Sequence, residues 1–124
     1  MVLGIGVDLV RIDRFKMNNL DGFIKRYFNT KEIKNFDEQN FSAKIEYYAS
    51  RFAAKEAFSK ALGTGLKSFK LSDIYVENNS DGKPLIKLEA SLQKKLESMF
   101  GKYNLNISIT HEKEYAAAFV VIDC

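Results

Sequence analysis

The chain has 124 residues, of which 46% are hydrophobic and 28% charged, and its formal net charge is +3; that is the profile of one soluble globular domain with a modest core, spanning residues 1–124. The longest apolar run, Ala116 to Ile122, is far short of the roughly 20 residues that span a bilayer, so a soluble protein is expected. Cys124 is the only cysteine, so no intrachain disulfide can form, and with no signal peptide ahead of Val2 a cytoplasmic protein is expected.

Val2 to Leu9 has period-2 structure, with Ile5, Val7 and Leu9 on one side and Gly4, Gly6 and Asp8 on the other. Asp13 is placed to cap a helix carrying Phe15, and Asp21 to start one carrying Phe23, Ile24, Tyr27 and Phe28. Thr30 is expected to cap a short helix through Phe36. Ser42 is expected to cap a long helix over Ala43 to Leu62, which Gly63-Thr64-Gly65 ends. Ile74 to Glu77 and Leu85 to Leu88 flank the turn-rich Asn78–Gly82 and predict a hairpin; Pro84 starts its strand, where a missing N–H costs least. Leu92, Leu96, Met99 and Phe100 share a helical face that Gly101 stops. Leu105, Ile107 and Ile109 alternate with polar residues in a half-buried strand, and Ala116 to Ile122 predicts a more fully buried one. The order predicts an α+β fold with a largely antiparallel sheet packed against a long helix and shorter helices.

Three charges stand in unusual places. On the long helix, Phe52, Glu56 and Lys60 stack at i, i+4 and i+8, so a carboxylate and an ammonium project from a sector lined by Ile45, Ala49 and Ala53. Charge there is costly unless paired, metal-bound or open to a cleft. A Glu56–Lys60 ion pair is the commoner explanation of that spacing. Asp8 shares its strand face with two glycines, which leave room for a ligand or another backbone; the alternative is a residue that ends the strand and caps the next segment. Together Asp8 and Glu56 could hold Mg²⁺, which takes one or two protein carboxylates with phosphates and water. Lys60, one turn further on, could neutralise phosphate charge.

Other chemistries lack their residues. His111, the only histidine, opens the turn before Tyr115; it could contact a phosphate or be an ordinary turn residue. With no second histidine and a terminal cysteine, neither a zinc site nor a Cys–His nucleophile is expected. Gly4-Ile5-Gly6 is followed by Leu9 where a dinucleotide fingerprint needs glycine, and Gly63-Thr64-Gly65 lacks a downstream Gly-Lys-Ser/Thr. From Arg11 to Lys34 there are seven basic side chains against three acidic ones, a stretch that could steer an acidic partner or form a solvated surface. A basic, aromatic RNA-binding module is the rival class, but no RNP-like aromatic run is present. A purely structural oligomer-forming domain is a second rival.

The chain resembles the holo-acyl-carrier-protein synthases, the short bacterial phosphopantetheinyl transferases. Gly6-Val7-Asp8 is similar to the family's first motif, and Phe52-x-x-Lys55-Glu56-Ala57-x-x-Lys60 to its second. Arg51-Phe52-Ala53-Ala54, Gly63-Thr64-Gly65, Asp81-Gly82-Lys83-Pro84 and Ser108-Ile109-Thr110-His111 extend the likeness over nearly the whole chain. The resemblance implies transfer of the phosphopantetheine arm of coenzyme A to a serine of apo acyl carrier protein, with release of adenosine bisphosphate, in support of fatty acid biosynthesis. By the same resemblance Asp8 and Glu56 ligate Mg²⁺ and, with Lys60, form the catalytic set. Arg51, Lys55, Lys60, Gly63, Gly65, Lys83, Pro84 and His111 are expected about coenzyme A. Arg14, with Arg11, Lys25 and Arg26 behind it, is expected to dock the acidic carrier. The family implies a homotrimer with sites at subunit interfaces; neither nucleic acid nor a membrane is an expected partner.

Overall fold

A computed structural model describes residues 1–63 and 69–124. Strand β1 (Val2–Arg11) leads through a 3-10 turn at Ile12–Phe15 into helix α1 (Leu20–Tyr27). The 3-10 turns Thr30–Glu32 and Glu38–Asn40 precede the long helix α2 (Phe41–Leu62). A turn at Leu71–Asp73 is followed by β2 (Ile74–Asn78), β3 (Pro84–Leu88), α3 (Ala90–Phe100), β4 (Asn104–His111) and β5 (Tyr115–Asp123). One antiparallel sheet has the order β1-β5-β4, and β2 and β3 pair as a separate antiparallel hairpin. The expected α+β class and the antiparallel pairing are both present.

The register of β1 on β5 sets Gly6 opposite Val120 and Asp8 opposite Ala118. Val10, Ala116, Ala118, Val120 and Ile122 are buried on that inner face, against which α2 packs. The two glycines of β1 are needed for the approach of the helix backbone. A Cβ on Gly6 would lie 2.0 Å from the Ala57 carbonyl oxygen, and one on Gly4 2.0 Å from that of Ala61. Of the two uses considered for those glycines, close backbone approach is the one realised.

The outer face departs from expectation. Ile5, Val7 and Leu9 are 61%, 58% and 63% exposed, and Phe119, opposite Val7, is 45% exposed. β5 is therefore not buried throughout: its inward residues are covered and Phe119 on its other side is not, as the two-residue period of a sheet with one covered face requires. Four apolar side chains thus share one open side of a two-stranded strip.

Helix starts are also displaced. Asn19, in the left-handed region at φ 57°, begins α1 with its side chain accepting from the Gly22 amide at 3.3 Å; Asp21 lies inside the first turn. Asn29 caps the Thr30–Glu32 turn reciprocally with Glu32, so Thr30 is its first residue and no helix continues to Phe36. α2 begins at Phe41 behind Asn40, without a side-chain cap from Ser42. Gly63 ends α2 at φ 80°, as expected of a left-handed C-terminal glycine. Phe52 has the packing role: its ring lies 5.8 Å from Phe15 and 5.6 Å from Phe23, fastening α1 and the preceding turn to α2.

Candidate active site

Asp8 and Lys60 meet where β1 crosses α2. Lys60 Nζ donates to Asp8 Oδ1 at 3.0 Å and to the Val7 carbonyl at 3.1 Å. The Asp8 side chain is 16% exposed and that of Lys60 56%. Lys60 therefore reaches across to the strand instead of pairing with Glu56 along the helix. Asp8 does not serve as a cap; it faces the helix from the strand.

Glu56 completes the cluster from one turn earlier on α2. Partial burial pushes its carboxyl above the ordinary carboxylate range, and the Asp8 charge pushes it further; Lys60 and Arg14 pull it back. Two neighbouring carboxylates, one of which raises the other, are a fitting pair of ligands for a divalent cation, and the Lys60 ammonium already pairs with Asp8. No group of three or more His, Cys, Asp or Glu suited to a metal occurs among the described residues. Two protein oxygens leave most of an octahedral shell for water and phosphate, which is the Mg²⁺ pattern.

The raised carboxyl has a consequence for stability. The folded chain favours neutral Glu56, so its favourable contribution is present at acid pH and lost as pH rises through the raised value. In metal-free buffer at neutral pH, Glu56→Gln should melt above wild type by circular dichroism. A lower melting temperature would contradict the assignment.

A second cluster lies on another side of α2. Arg51, Tyr47, Ser50 and Glu46 line one cleft with Lys34, Phe36, Gly82, Pro84 and His111. The Arg51 guanidinium sits 4.0 Å from the Tyr47 ring centroid. Its Nε is buried with no acceptor among the described residues. An unsatisfied buried donor costs about 1–3 kcal/mol unless a ligand supplies the acceptor. Lys34 Nζ is 5.1 Å from the same Tyr47 ring, and His111 Nδ1 is 3.9 Å from Glu46 Oε1. The cleft suits an anion with a flat apolar portion.

The expected site residues thus divide into groups. Asp8, Glu56 and Lys60 converge, and the Arg14 charge is felt at Glu56. Arg51, Pro84 and His111 share the cleft, and Lys83 adjoins it, its amide bonded to Asn79 Oδ1 at 2.9 Å. Gly63 is exposed at the end of α2, while Gly65 lies outside the described residues. Lys25 and Arg26 are exposed on α1, and Arg11 pairs with Asp13 at 3.1 Å. Lys55 lies apart from both groups: it is fully buried, 2.5 Å from Glu32, and is not open to solvent. Lys34 and Tyr47 carry no site signal of their own in the sequence; Lys34 counts only towards the basic stretch, and Tyr47 offers only an i, i+4 spacing to Arg51.

None of Asp8, Glu56 and Lys60 lines the Arg51 cleft. Five residues along α2 rotate a side chain by about 140°, so one chain presents the two groups on different faces of its helix.

Comparison with known proteins decides the family. The model of the "4'-phosphopantetheinyl transferase superfamily" matches residues 4–120. The chain belongs to this superfamily. Among transferase relatives, the holo-[acyl-carrier-protein] synthase of Clostridium tetani is 42% identical over 125 residues, covering 99% of this chain and 97% of the relative. The crystal structure of the Neisseria meningitidis holo-[acyl-carrier-protein] synthase superposes with TM-score 0.84 at 32% identity, covering all of both chains. That of the Bacillus anthracis synthase, in complex with CoA (3',5'-ADP), gives TM-score 0.75 at 34% identity, covering 99% of this chain and 97% of the other. Both motifs of this phosphopantetheinyl transferase fall inside the matched range.

Proposed function

We propose that this transferase is a holo-acyl-carrier-protein synthase. It moves the phosphopantetheine arm of coenzyme A onto a serine of an apo acyl carrier protein, in the cytoplasm and in support of fatty acid biosynthesis. The serine hydroxyl gives up its proton to solvent water, and its oxygen bonds to the phosphorus that bears pantetheine. The bond from that phosphorus to the bridging oxygen breaks, and adenosine 3',5'-bisphosphate leaves. The convergence of Asp8, Glu56 and Lys60 between β1 and α2, in a member of this superfamily, carries the reading.

Asp8 and Glu56 would hold Mg²⁺, which would offset the charge that develops on the leaving phosphate. Lys60 is long and half exposed, so its ammonium can leave Asp8 for a phosphate oxygen. Arg51 supplies a cation for a phosphate of coenzyme A, and Tyr47 and Pro84 offer an apolar wall beside it. The nucleophile belongs to the carrier, so no activated Ser or Cys is needed here. Arg14, close enough to act on Glu56 and exposed, is positioned to bring an acidic carrier to the carboxylates, with Arg11, Lys25 and Arg26 as a wider basic surface.

The experiment mixes apo carrier, coenzyme A, Mg²⁺ and the protein, and follows the carrier's mass. One phosphopantetheine should be gained, and EDTA should prevent it. No gain, or an equal gain with EDTA, overturns the reading.

A homotrimer with composite sites accounts for two observations together. The apolar outer face at Ile5, Val7, Leu9 and Phe119 is open to solvent, and the carboxylates and the Arg51 cleft sit on different sides of α2. A second copy laid on that face would cover its apolar side chains, and a site shared between copies would join one chain's carboxylates to another's cleft. Arg51→Ala alone should weaken adenosine 3',5'-bisphosphate binding about 10- to 100-fold, the worth of a charged hydrogen bond. Mixed and reassembled with Asp8→Asn subunits, it should regain activity at about one quarter of the sites, the fraction in which both halves are intact in a closed ring. Mixtures as inactive as their components would contradict composite sites.

A further inference from the structure

The most deeply buried charges in the described chain lie outside both clusters. Lys55 and Glu32 have no exposed side-chain surface and stand 2.5 Å apart. All three Lys55 protons are engaged: the ammonium also donates to the Leu71 carbonyl at 3.0 Å and to the Ile74 carbonyl. Glu32 is equally satisfied, with Oε1 accepting from the Asn29 amide at 3.1 Å and Oε2 from the Val76 amide at 3.0 Å. Around the pair, Tyr47 Oη donates to the Glu32 carbonyl at 2.6 Å, and Asn29 Nδ2 donates to the Ser72 carbonyl and to Glu89.

A buried ion pair is a poor source of stability, because desolvation can exceed the Coulombic gain and apolar residues of the same volume often do as well. Its directional bonds fix geometry instead. Here they join three segments. The first, from Asn29 onward, carries Lys34 and Phe36. The second is α2, which carries Tyr47 and Arg51. The third runs from Leu71 into β2 and its hairpin, which carry Asn78 and Pro84. These are three of the walls of the Arg51 cleft; β4, with Ile109 and His111, is the fourth.

We infer that Lys55 and Glu32 are positioning residues: their buried pair sets the mutual register of the three walls that hold the phosphates and nucleotide of coenzyme A. The inference rests on the reading of that cleft as the coenzyme A site. It replaces direct phosphate contact by Lys55 with an indirect role.

The test separates positioning from bulk stability. Lys55→Met alone leaves Glu32 buried and uncompensated and should lower the melting temperature strongly. The double variant Lys55→Met with Glu32→Leu should recover most of the melting temperature. It should nonetheless bind adenosine 3',5'-bisphosphate about tenfold more weakly by calorimetry, with KM for coenzyme A raised about tenfold and kcat reduced less than about threefold, as expected of displaced binding groups. Wild-type affinity in a folded double variant overturns the inference. Should the double variant not fold, hydrogen exchange on the wild-type protein decides: adding adenosine 3',5'-bisphosphate should slow exchange at the Asn29 and Val76 amides, which donate to Glu32, and unchanged rates there overturn it. Unchanged binding in Arg51→Ala would instead remove the cleft reading itself, and the positioning role with it.

Discussion

Asp8→Asn and Glu56→Gln are each expected to lower carrier modification about a thousandfold while leaving a folded protein. The magnitude follows from the task. A bound divalent cation supplies several kcal/mol of charge stabilisation to a transferring phosphoryl group, and each 1.36 kcal/mol is a factor of ten in rate. Both substitutions keep the side chain's size and remove only its charge. Asp8→Asn also releases Lys60 from its 3.0 Å partner, so loss of activity cannot be put down to a lysine held back from the phosphates. Glu56→Gln is the cleaner of the two, because partial burial and the Asp8 charge already work against the ionised form of that residue. Single-turnover modification with coenzyme A and Mg²⁺, read beside thermal melting, is the measurement. Rates within a few-fold of wild type in either variant would refute the metal assignment; low rates with a collapsed melting curve would point to structure instead.

Gly6→Ala is expected to cost more stability than any surface change of the same size. The added carbon would meet the Ala57 carbonyl oxygen at 2.0 Å and the Ala61 amide nitrogen at 2.7 Å. Those atoms are helix backbone and cannot swing aside as the end of a flexible side chain can. β1 or α2 must separate, with a penalty at or above the upper end of the 1–3 kcal/mol usual for overpacking, about 3 kcal/mol. In a domain of this size that corresponds to a fall of about 10 °C in melting temperature. The same separation moves Asp8 away from Glu56 and Lys60, so surviving folded protein should also lose activity. Gly63→Ala is the comparison: among the described residues nothing lies within 4 Å of its added carbon, and its φ of 80° costs local backbone strain of about 1–2 kcal/mol. A Gly6→Ala protein that melts within about 2 °C of wild type would mean the two backbones are less tightly set than their distances imply.

Much of this architecture is legible in the sequence because local chemistry and tertiary structure agree. The alternation in β1, the hairpin around Asn78–Gly82 and the stop at Gly63 are each dictated by a few neighbouring residues, and each appears where expected. Asp8 and Glu56 are legible for the opposite reason: they break the pattern around them. The features that escape the sequence are decided at long range. Lys55 reads as a solvent-facing or ligand-facing lysine until Glu32 is brought beside it from 23 positions upstream, with two carbonyls from the Leu71–Ile74 segment. α2 hides residues on several sides, Ile45, Tyr48, Ala54 and Phe58 among them, so position on the helix cannot tell a buried charge from a catalytic one. Lys60 has an available partner at i−4 and takes one from β1 instead. The cleft at Arg51 draws on four separate segments, and Lys34, Phe36 and Tyr47 among its lining carry no motif-level signal. The exposed face of β1 is hidden for a simpler reason: an apolar stripe looks the same whether this chain or another copy covers it.

Asp8 and Glu56 are held to share a divalent cation that also engages coenzyme A. Anomalous scattering from crystals grown with Mn²⁺ in place of Mg²⁺, together with coenzyme A, tests this most directly. A metal peak is predicted within coordination distance of both carboxylates and of a coenzyme A phosphate, with the Lys60 ammonium moved off Asp8 towards the phosphates. A peak elsewhere, or coenzyme A bound away from both carboxylates, would contradict the shared metal.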